Sequence, residues 1–314
     1  MSNEMNRRCF VASSILGASV AGMSAVSDHV YGGEPYPPLV KKRELPFGTI
    51  GDVTLSRMIL GGNLLSHFTH SRDLRYVYNL SAHYNTPEKI LATMRLAEEH
   101  GINTVNVTIT KPMLDALKEH RNRGGNIQPL MYSVAPIKED LAEFTQSCRD
   151  AVDVGACALY LWGNRSEELI DKQPELIKKA VNTMKSFDVP VGVAAHQLRV
   201  IEFCEREKIK TDFYVKTFHH LNYPSAKMNY DSCWCDDPEK HIEVFSNIDK
   251  PWIAYKVMAA GAIPPKNALD YAFTNGADFV FFGMFDFEID EDTRLLNEVF
   301  AQDNVKNRPR KWCA

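Results

Sequence analysis

The chain has 314 residues, 45% of them hydrophobic and 24% charged, with a formal net charge of −4. That length supports one large core or two modest ones, and an acidic balance with no basic block beyond the first few residues excludes duplex nucleic acid as a partner. The seven cysteines, Cys9, Cys148, Cys157, Cys204, Cys233, Cys235 and Cys313, are scattered through a chain too large to need a disulfide framework. Only Cys233 and Cys235 stand close, and C-x-C lacks the C-x-x-C spacing of common zinc and redox sites.

The first element in chain order is "NRRCFVASSILGASVAGMSAVSDHV", in which Arg7-Arg8 and Phe10 precede a mild apolar run rich in Ala, Gly and Ser. It resembles a twin-arginine export signal over residues 1–27, with Ala25-Val26-Ser27 as a small-x-small cleavage site. The run is too short and too weakly apolar for a stable transmembrane helix. The alternative is an uncleaved tail. The resemblance implies a bacterial protein handed to the twin-arginine machinery already folded, for the periplasm or the exterior, with no stable membrane insertion of the mature chain. Residues 28–50, with "GGEPYPPLVKKRELPFG", are rich in Pro and Gly and read as an extended lead-in.

Residues 51–314 read as one domain of alternating strands and helices. Strand-like runs are "SRMILGG" (56–62), "INTVNVT" (102–108), "QPLMYSV" (128–134), "ACALYLW" (156–162), "PVGVAAH" (190–196), "DFYVKTF" (212–218), "WIAYKVM" (252–258) and "DFVFFGM" (278–284). Between them lie amphipathic helical stretches, such as "TPEKILATMRLAEEHG" with Thr86 as N-cap, Pro87 at N1 and Gly101 as C-cap. Eight βα units predict a (β/α)₈ TIM barrel, class α/β. The runner-up is a doubly wound open sheet, against which no Gly-x-Gly-x-x-Gly follows the first strand.

Two connections are too long to be turns: residues 63–85 after the first strand and 219–237 after the sixth. Both hold polar-aromatic mixtures suited to a substrate wall for sugar rings. The first holds His67, His70, Arg72, Tyr76, Tyr78, His83 and Tyr84. The second holds His219, His220, Tyr223, Cys233, Trp234, Cys235, Asp236 and Asp237.

In their shared order the strands resemble the aldo-keto reductases over residues 55–300. "SRMILGG" is similar to that family's first strand, "GINTVNV" to its Gly-Ile-Asn-x-x-Asp-Thr second strand, "ALYLWG" to its Leu-Tyr-Leu-x-His fourth, "VGVAAH" to its fifth and "IAYKVMAAGAI" to its Ile-Ala-Tyr-Ser-Pro-Leu seventh. The resemblance implies a barrel that reduces carbonyls with NADPH. Its catalytic tetrad does not carry over: the aspartate falls at Asn106, the tyrosine near Lys111, the lysine near Ser133 and the histidine at Gly163. Lys256 stands where the phosphate-side serine would be, and within "FDFEIDED" four acids in five residues, Glu288, Asp290, Glu291 and Asp292, fall where the cofactor phosphate would lie. NAD(P) is therefore not expected, and a divalent metal is left open.

The strongest candidates for chemistry are Lys216 and Lys256, on adjacent predicted strands. If Lys216 points inward, so do Tyr214 and Phe218; if Lys256 does, so do Ala254 and Met258. Two ammonium groups aimed at each other lower the pKa of one, and the neutral amine can form a Schiff base. "DFYVKT" followed by "YKVMAAGAI" also resembles the paired lysines of deoxyribose-phosphate aldolase-type enzymes. The bland alternative is two lysines neutralised by an acid such as Asp286. His196 and His219, at predicted strand ends, are the candidate proton shuttles, and with Asp286 they could make a mixed metal site. Substrate contacts are expected from Asn63, His67, Asn106, Tyr132, Asn164, His220, Trp234 and Asp286, while His241 reads as solvated.

The expectation is thus an exported barrel enzyme that has lost the reductase tetrad. It would act on a sugar or another carbonyl compound by lyase, isomerase or hydrolase chemistry. The alternatives are an NAD(P)-dependent oxidoreductase with a rearranged site and a non-catalytic carbohydrate-binding barrel.

Overall fold

Eight short strands with almost no exposed face carry the architecture: β3 (Met58–Gly61), β4 (Thr104–Thr108), β5 (Gln128–Ser133), β6 (Ala158–Leu161), β7 (Val191–Ala195), β8 (Phe213–Thr217), β9 (Trp252–Tyr255) and β10 (Phe279–Phe282). The computed structural model describes residues 33–228 and 230–314, so the export signal read over residues 1–27 lies outside the described residues. Strands apolar on both sides need cover on both sides. Here they pair in parallel in the order β10-β3-β4-β5-β6-β7-β8-β9 and close into a barrel. All eight predicted strands are present, each trimmed by a residue or more at one or both ends.

The helices wrap the outside. In chain order they are α1 (Arg75–Tyr84), α2 (Pro87–Glu99), α3 (Lys111–Asn122), α4 (Ala142–Asp153), α5 (Gly163–Lys172), α6 (Glu175–Lys185), α7 (Leu198–Arg206), α8 (Pro238–Phe245), α9 (Pro265–Thr274), α10 (Ile289–Ala301) and α11 (Asp303–Lys306). The α2 helix starts as its sequence predicts: Pro87 sits in the first turn and the Thr86 hydroxyl accepts the Lys89 N–H at 3.3 Å. It ends one residue early, with His100 as cap and Gly101 beyond it at φ +88°, where a β-carbon would meet the Arg43 carbonyl oxygen at 2.7 Å. Among the described residues no helix is long and apolar enough to cross a membrane.

Strand alternation divides the apolar residues into two cores. Ile59, Leu130, Tyr132, Tyr160, Ala194, Phe213, Val215, Ile253, Phe279 and Phe281 fill the barrel interior. Their neighbours in sequence, including Leu60, Met131, Leu159, Tyr214, Phe218 and Ala254, pack outward with the helices. A hairpin, β1 (Phe47–Ile50) with β2 (Val53–Ser56), turns at Gly51 (φ +60°) and sends Ile50 and Leu55 into the inner core. It begins at Phe47, inside the stretch read from sequence as an extended lead-in; alternation in "FGTIGDVTLS" around Gly-Asp was its signal. The C-terminal tail closes the same end. Asp278, wholly buried, takes Arg308 at 2.9 Å and Arg310 at 2.7 Å, and Arg57 lies over the Phe279 and Trp312 rings.

His241 is a correction. It is 1% exposed, not solvated, because α8 turns Pro238, His241 and Phe245 inward as one stripe, and its Nδ1–H donates to the Asp237 carbonyl.

Candidate active site

The two long connections follow β3 and β8, strands separated by β9 and β10 in the closed order, yet they meet. The Ser71 N–H donates to Asp231 Oδ2 at 2.8 Å and Arg72 donates to the Ser225 carbonyl at 2.7 Å. The buried Arg72 guanidinium also stacks on Tyr230 (4.2 Å) and Trp234 (4.9 Å). His67, one of the predicted substrate contacts, is used here instead, donating to the Asn85 carbonyl at 2.9 Å. The loops therefore make one wall across the carboxyl ends of the neighbouring strands.

Behind that wall stands Lys256. The sequence placed it within a strand, but β9 stops at Tyr255, and Lys256 takes a left-handed backbone (φ +60°) that redirects its side chain into the mouth. Its three ammonium hydrogens have three acceptors: His196 Nε2 at 3.1 Å, the Cys233 carbonyl at 3.3 Å and Ser232 Oγ. Among the described residues no carboxylate comes within ion-pair distance of it. Burial lowers its pKa to about 8, against the pull of Cys233, Glu167 and Asp231.

His196 follows β7 directly and is held from the other side by Glu167 of α5. One Glu167 oxygen accepts the backbone N–H groups of His196 and Gln197, at 2.5 and 2.8 Å, and the other accepts from His196 Nδ1 at 3.3 Å. With Nδ1 protonated, Nε2 presents its lone pair to Lys256. Burial and then the Lys256 charge push His196 down to about 4, so the ring is neutral near pH 7. Burial works to raise Glu167, but His196 and the two N–H donors outweigh it and hold the carboxyl below its usual range. Gly163 makes the room: a β-carbon there would lie 3.3 Å from the His196 ring and 3.4 Å from the Tyr255 hydroxyl.

Below these groups the interior is aromatic. Tyr132 stacks with Trp162 (centroids 6.3 Å, 25°) and lies 5.2 Å from Tyr160, whose hydroxyl donates to Asn106 Oδ1 at 2.9 Å. The Tyr132 hydroxyl accepts from Thr108. Burial keeps the Tyr160 and Tyr255 hydroxyls protonated.

Lys216 does not join Lys256 in the mouth. It shares an outward face with Tyr214 and Phe218, is 0% exposed, and donates to the carbonyls of His196 (2.6 Å) and Thr217 (3.0 Å). The condition that Lys216 points inward with Tyr214 and Phe218 fails because the barrel's alternation gives the interior to Phe213 and Val215. His196 still links the lysines, holding Lys216 by its carbonyl and Lys256 by its ring. His219 is sealed off, Nδ1 donating to the His220 carbonyl (3.0 Å) and Nε2 accepting the Cys235 N–H (3.0 Å). Asp286 neutralises Lys89 at 2.8 Å and accepts from Tyr84, not from either lysine. His220 pairs with Asn267 at 2.6 Å, Trp234 lies under Lys256 at 5.4 Å, and Asn63 and Asn164 are half-buried just after β3 and β6.

The predicted metal set of His196, His219 and Asp286 does not assemble. The donors that converge, within 4.8 Å of one another, are Glu167, His196 and Cys233. Lys256 Nζ already binds His196 Nε2 there, so an ammonium and a divalent ion would compete for one nitrogen. Sequence reasoning missed Glu167, which reads as an ordinary helical acid, and passed over Ser232 altogether.

No protein-family profile matches the chain, and neither does any curated protein. Among solved structures it is similar to a protein described as an aldo-keto reductase from Pseudomonas aeruginosa, with TM-score 0.58 and 13% identity over 82% of this chain and 98% of that one. An aldo-keto reductase from Bacillus halodurans in its holo form gives 0.56 and 14% over 82% and 91%. A further solved structure, a mutant protein in complex with NADPH, gives 0.55 and 11% over 84% and 92%. The fold is thus a TIM barrel of the kind these aldo-keto reductases have.

Proposed function

We propose that this chain is an enzyme that keeps the aldo-keto reductase barrel without its hydride transfer, and that it processes a sugar or other carbonyl-bearing small molecule by lyase, isomerase or hydrolase chemistry. One observation carries the reading: an amine of pKa about 8, Lys256, held in the barrel mouth beside a neutral imidazole that Glu167 orients. A neutral Lys256 attacks the substrate carbonyl, forming a C–N bond and a carbinolamine. Loss of water gives the imine, with His196 Nε2 carrying the proton between nitrogen and departing oxygen. The Tyr132–Trp162 stack offers a sugar its apolar face, and Asn106 its polar edge. Lys216, gripping the His196 backbone, is a positioning residue.

Borohydride added with a panel of small aldehydes, ketones and reducing sugars should leave a reduced adduct on the Lys256 peptide, and none in Lys256→Met. Adduct on other lysines only, or turnover that survives Lys256→Met, defeats the reading. Sugar binding without adduct or turnover would leave the non-catalytic carbohydrate-binding barrel.

A second reading, an NAD(P)-dependent oxidoreductase with a rearranged site, gains from one feature. The acid-rich segment after β10 is less repulsive than its sequence: Asp290 pairs with Arg43 at 2.8 Å, Glu288 is spent on the Phe285 N–H, and burial pushes Asp292 up to about 7. Quenching of protein fluorescence on titration with NADPH would support it. As for place, the Arg7-Arg8 stretch supports export through the twin-arginine machinery to the bacterial periplasm or beyond. A reporter fusion should lose export when both arginines become lysine.

A further inference from the structure

The carbonyl reading leaves unused three polar side chains on the far side of Lys256. Asp231, with Oδ2 fixed by the Ser71 N–H at 2.8 Å, places that oxygen 3.7 Å from His70 Nδ1. His70 Nε2 lies 3.3 Å from Ser232 Oγ, and Ser232 Oγ accepts from Lys256. His70 and Asp231 come from different long loops, so this line of groups exists only because the loops meet. Burial and the Lys256 charge hold His70 below the ordinary imidazole value, which leaves the ring neutral with a lone pair free to take a proton. The Trp234 ring stands edge-on to it at 6.1 Å. Ser232 is only half-buried and so can be reached from solvent. An acid, an imidazole and a hydroxyl in that order form the constellation that activates a serine, and such contacts are commonly loose before substrate binds.

We propose that Ser232 is a second nucleophile of this mouth, with His70 as its general base and Asp231 as the residue that orients His70, and that it takes the acyl group of carboxylic esters. The Ser232 hydroxyl proton passes to His70 Nε2 as Oγ forms a bond to the ester carbonyl carbon. The oxyanion so formed faces the Lys256 ammonium. Collapse breaks the carbon–oxygen bond to the alcohol, which leaves with the proton from His70, and water then releases the acid by the same route. No oxidant or further reactant is needed. This goes beyond the imine reading and uses Lys256 in its charged form, where the imine requires the neutral amine.

The full chain should be treated with a fluorophosphonate probe and, separately, with p-nitrophenyl acetate. The expected result is phosphonylation of the Ser232 peptide, none there in Ser232→Ala, and ester turnover lost in the same variant. His70→Ala should slow labelling by about 100-fold, and added imidazole should restore part of the rate, which a merely structural role would not allow. Asp231→Asn should slow it less. An unlabelled Ser232 in the wild-type chain overturns the proposal, as does a rate indifferent to His70→Ala. If His70→Ala does not fold, His70→Gln reads the same point. Borohydride trapping on Lys256, run on the same samples, separates the two readings: trapping without Ser232 labelling sinks only this one, and labelling without trapping sinks only the other.

Discussion

The two ends of the barrel bury charge in opposite ways. At the closed end Asp278 receives four donors, two per oxygen: Arg308 at 2.9 Å with the Cys313 N–H at 3.0 Å, and Arg310 at 2.7 Å with the Trp252 N–H at 2.9 Å. At the open end the Lys256 ammonium has, among the described residues, only neutral acceptors, and the Glu167 carboxylate reaches it through His196. A saturated buried network fixes a structure, while a charge left partly uncompensated in a cleft has its pKa displaced toward working pH. The closed end is where this molecule is held together, and the open end is where it is set up to react.

The largest effect expected from that contrast is at Asp278. Asp278→Asn leaves two buried guanidinium groups without an anion, and unfolding free energy should fall by about 3–5 kcal/mol in urea titrations. Lys256→Met should cost far less stability, and an equal loss from the two variants would erase the distinction. Next comes Lys216, a buried charge that belongs to neither end. Its pKa is about 8 when folded against an ordinary 10.5 when unfolded, because burial disfavours the ammonium. Below pH 8 both states carry the proton and the destabilisation is fully present. Between pH 8 and 10.5 the unfolded chain binds more protons, so stability rises with pH. The wild-type chain should therefore gain about 3 kcal/mol relative to Lys216→Met across that window. A flat difference would mean that Lys216 titrates normally.

Much of the barrel was legible in the sequence, because strands buried on both faces must read as unbroken apolar runs, and helix starts such as Thr86-Pro87 carry their own chemistry. Which way a strand residue faces was not legible. Lys216 and Phe213 belong to one apolar run, and only ring closure assigns the first to the helices and the second to the interior. Lys256 was found as the odd charge in such a run, yet its left-handed backbone and the strand end at Tyr255 carry no composition signal. Asp286 was tied to the lysines because it is acidic and close to a strand end; Lys89, almost two hundred positions earlier, claims it instead. Glu167 and Ser232 were missed for the same reason. Their roles arise from where α5 and the second long loop come to rest, and pairwise placement of that kind is written in the fold.

The smallest effect expected is the most selective test of the open end. Gly163→Ala puts a methyl 3.3 Å from the His196 ring and 3.4 Å from the Tyr255 hydroxyl, so the imidazole must yield by a few tenths of an ångström. Gly163 opens α5, where alanine gains about 0.5–1 kcal/mol from reduced backbone entropy, and mild overpacking takes away about 1–3. Net stability should drop by no more than about 2.5 kcal/mol. The tilt of His196 away from Lys256 should instead show as an altered imidazole NMR shift and slower borohydride-trapped adduct formation. Melting and trapping that change together in proportion would make Gly163 ordinary packing. Trapping that slows in a chain of nearly unchanged stability would show that the glycine is there to seat the imidazole.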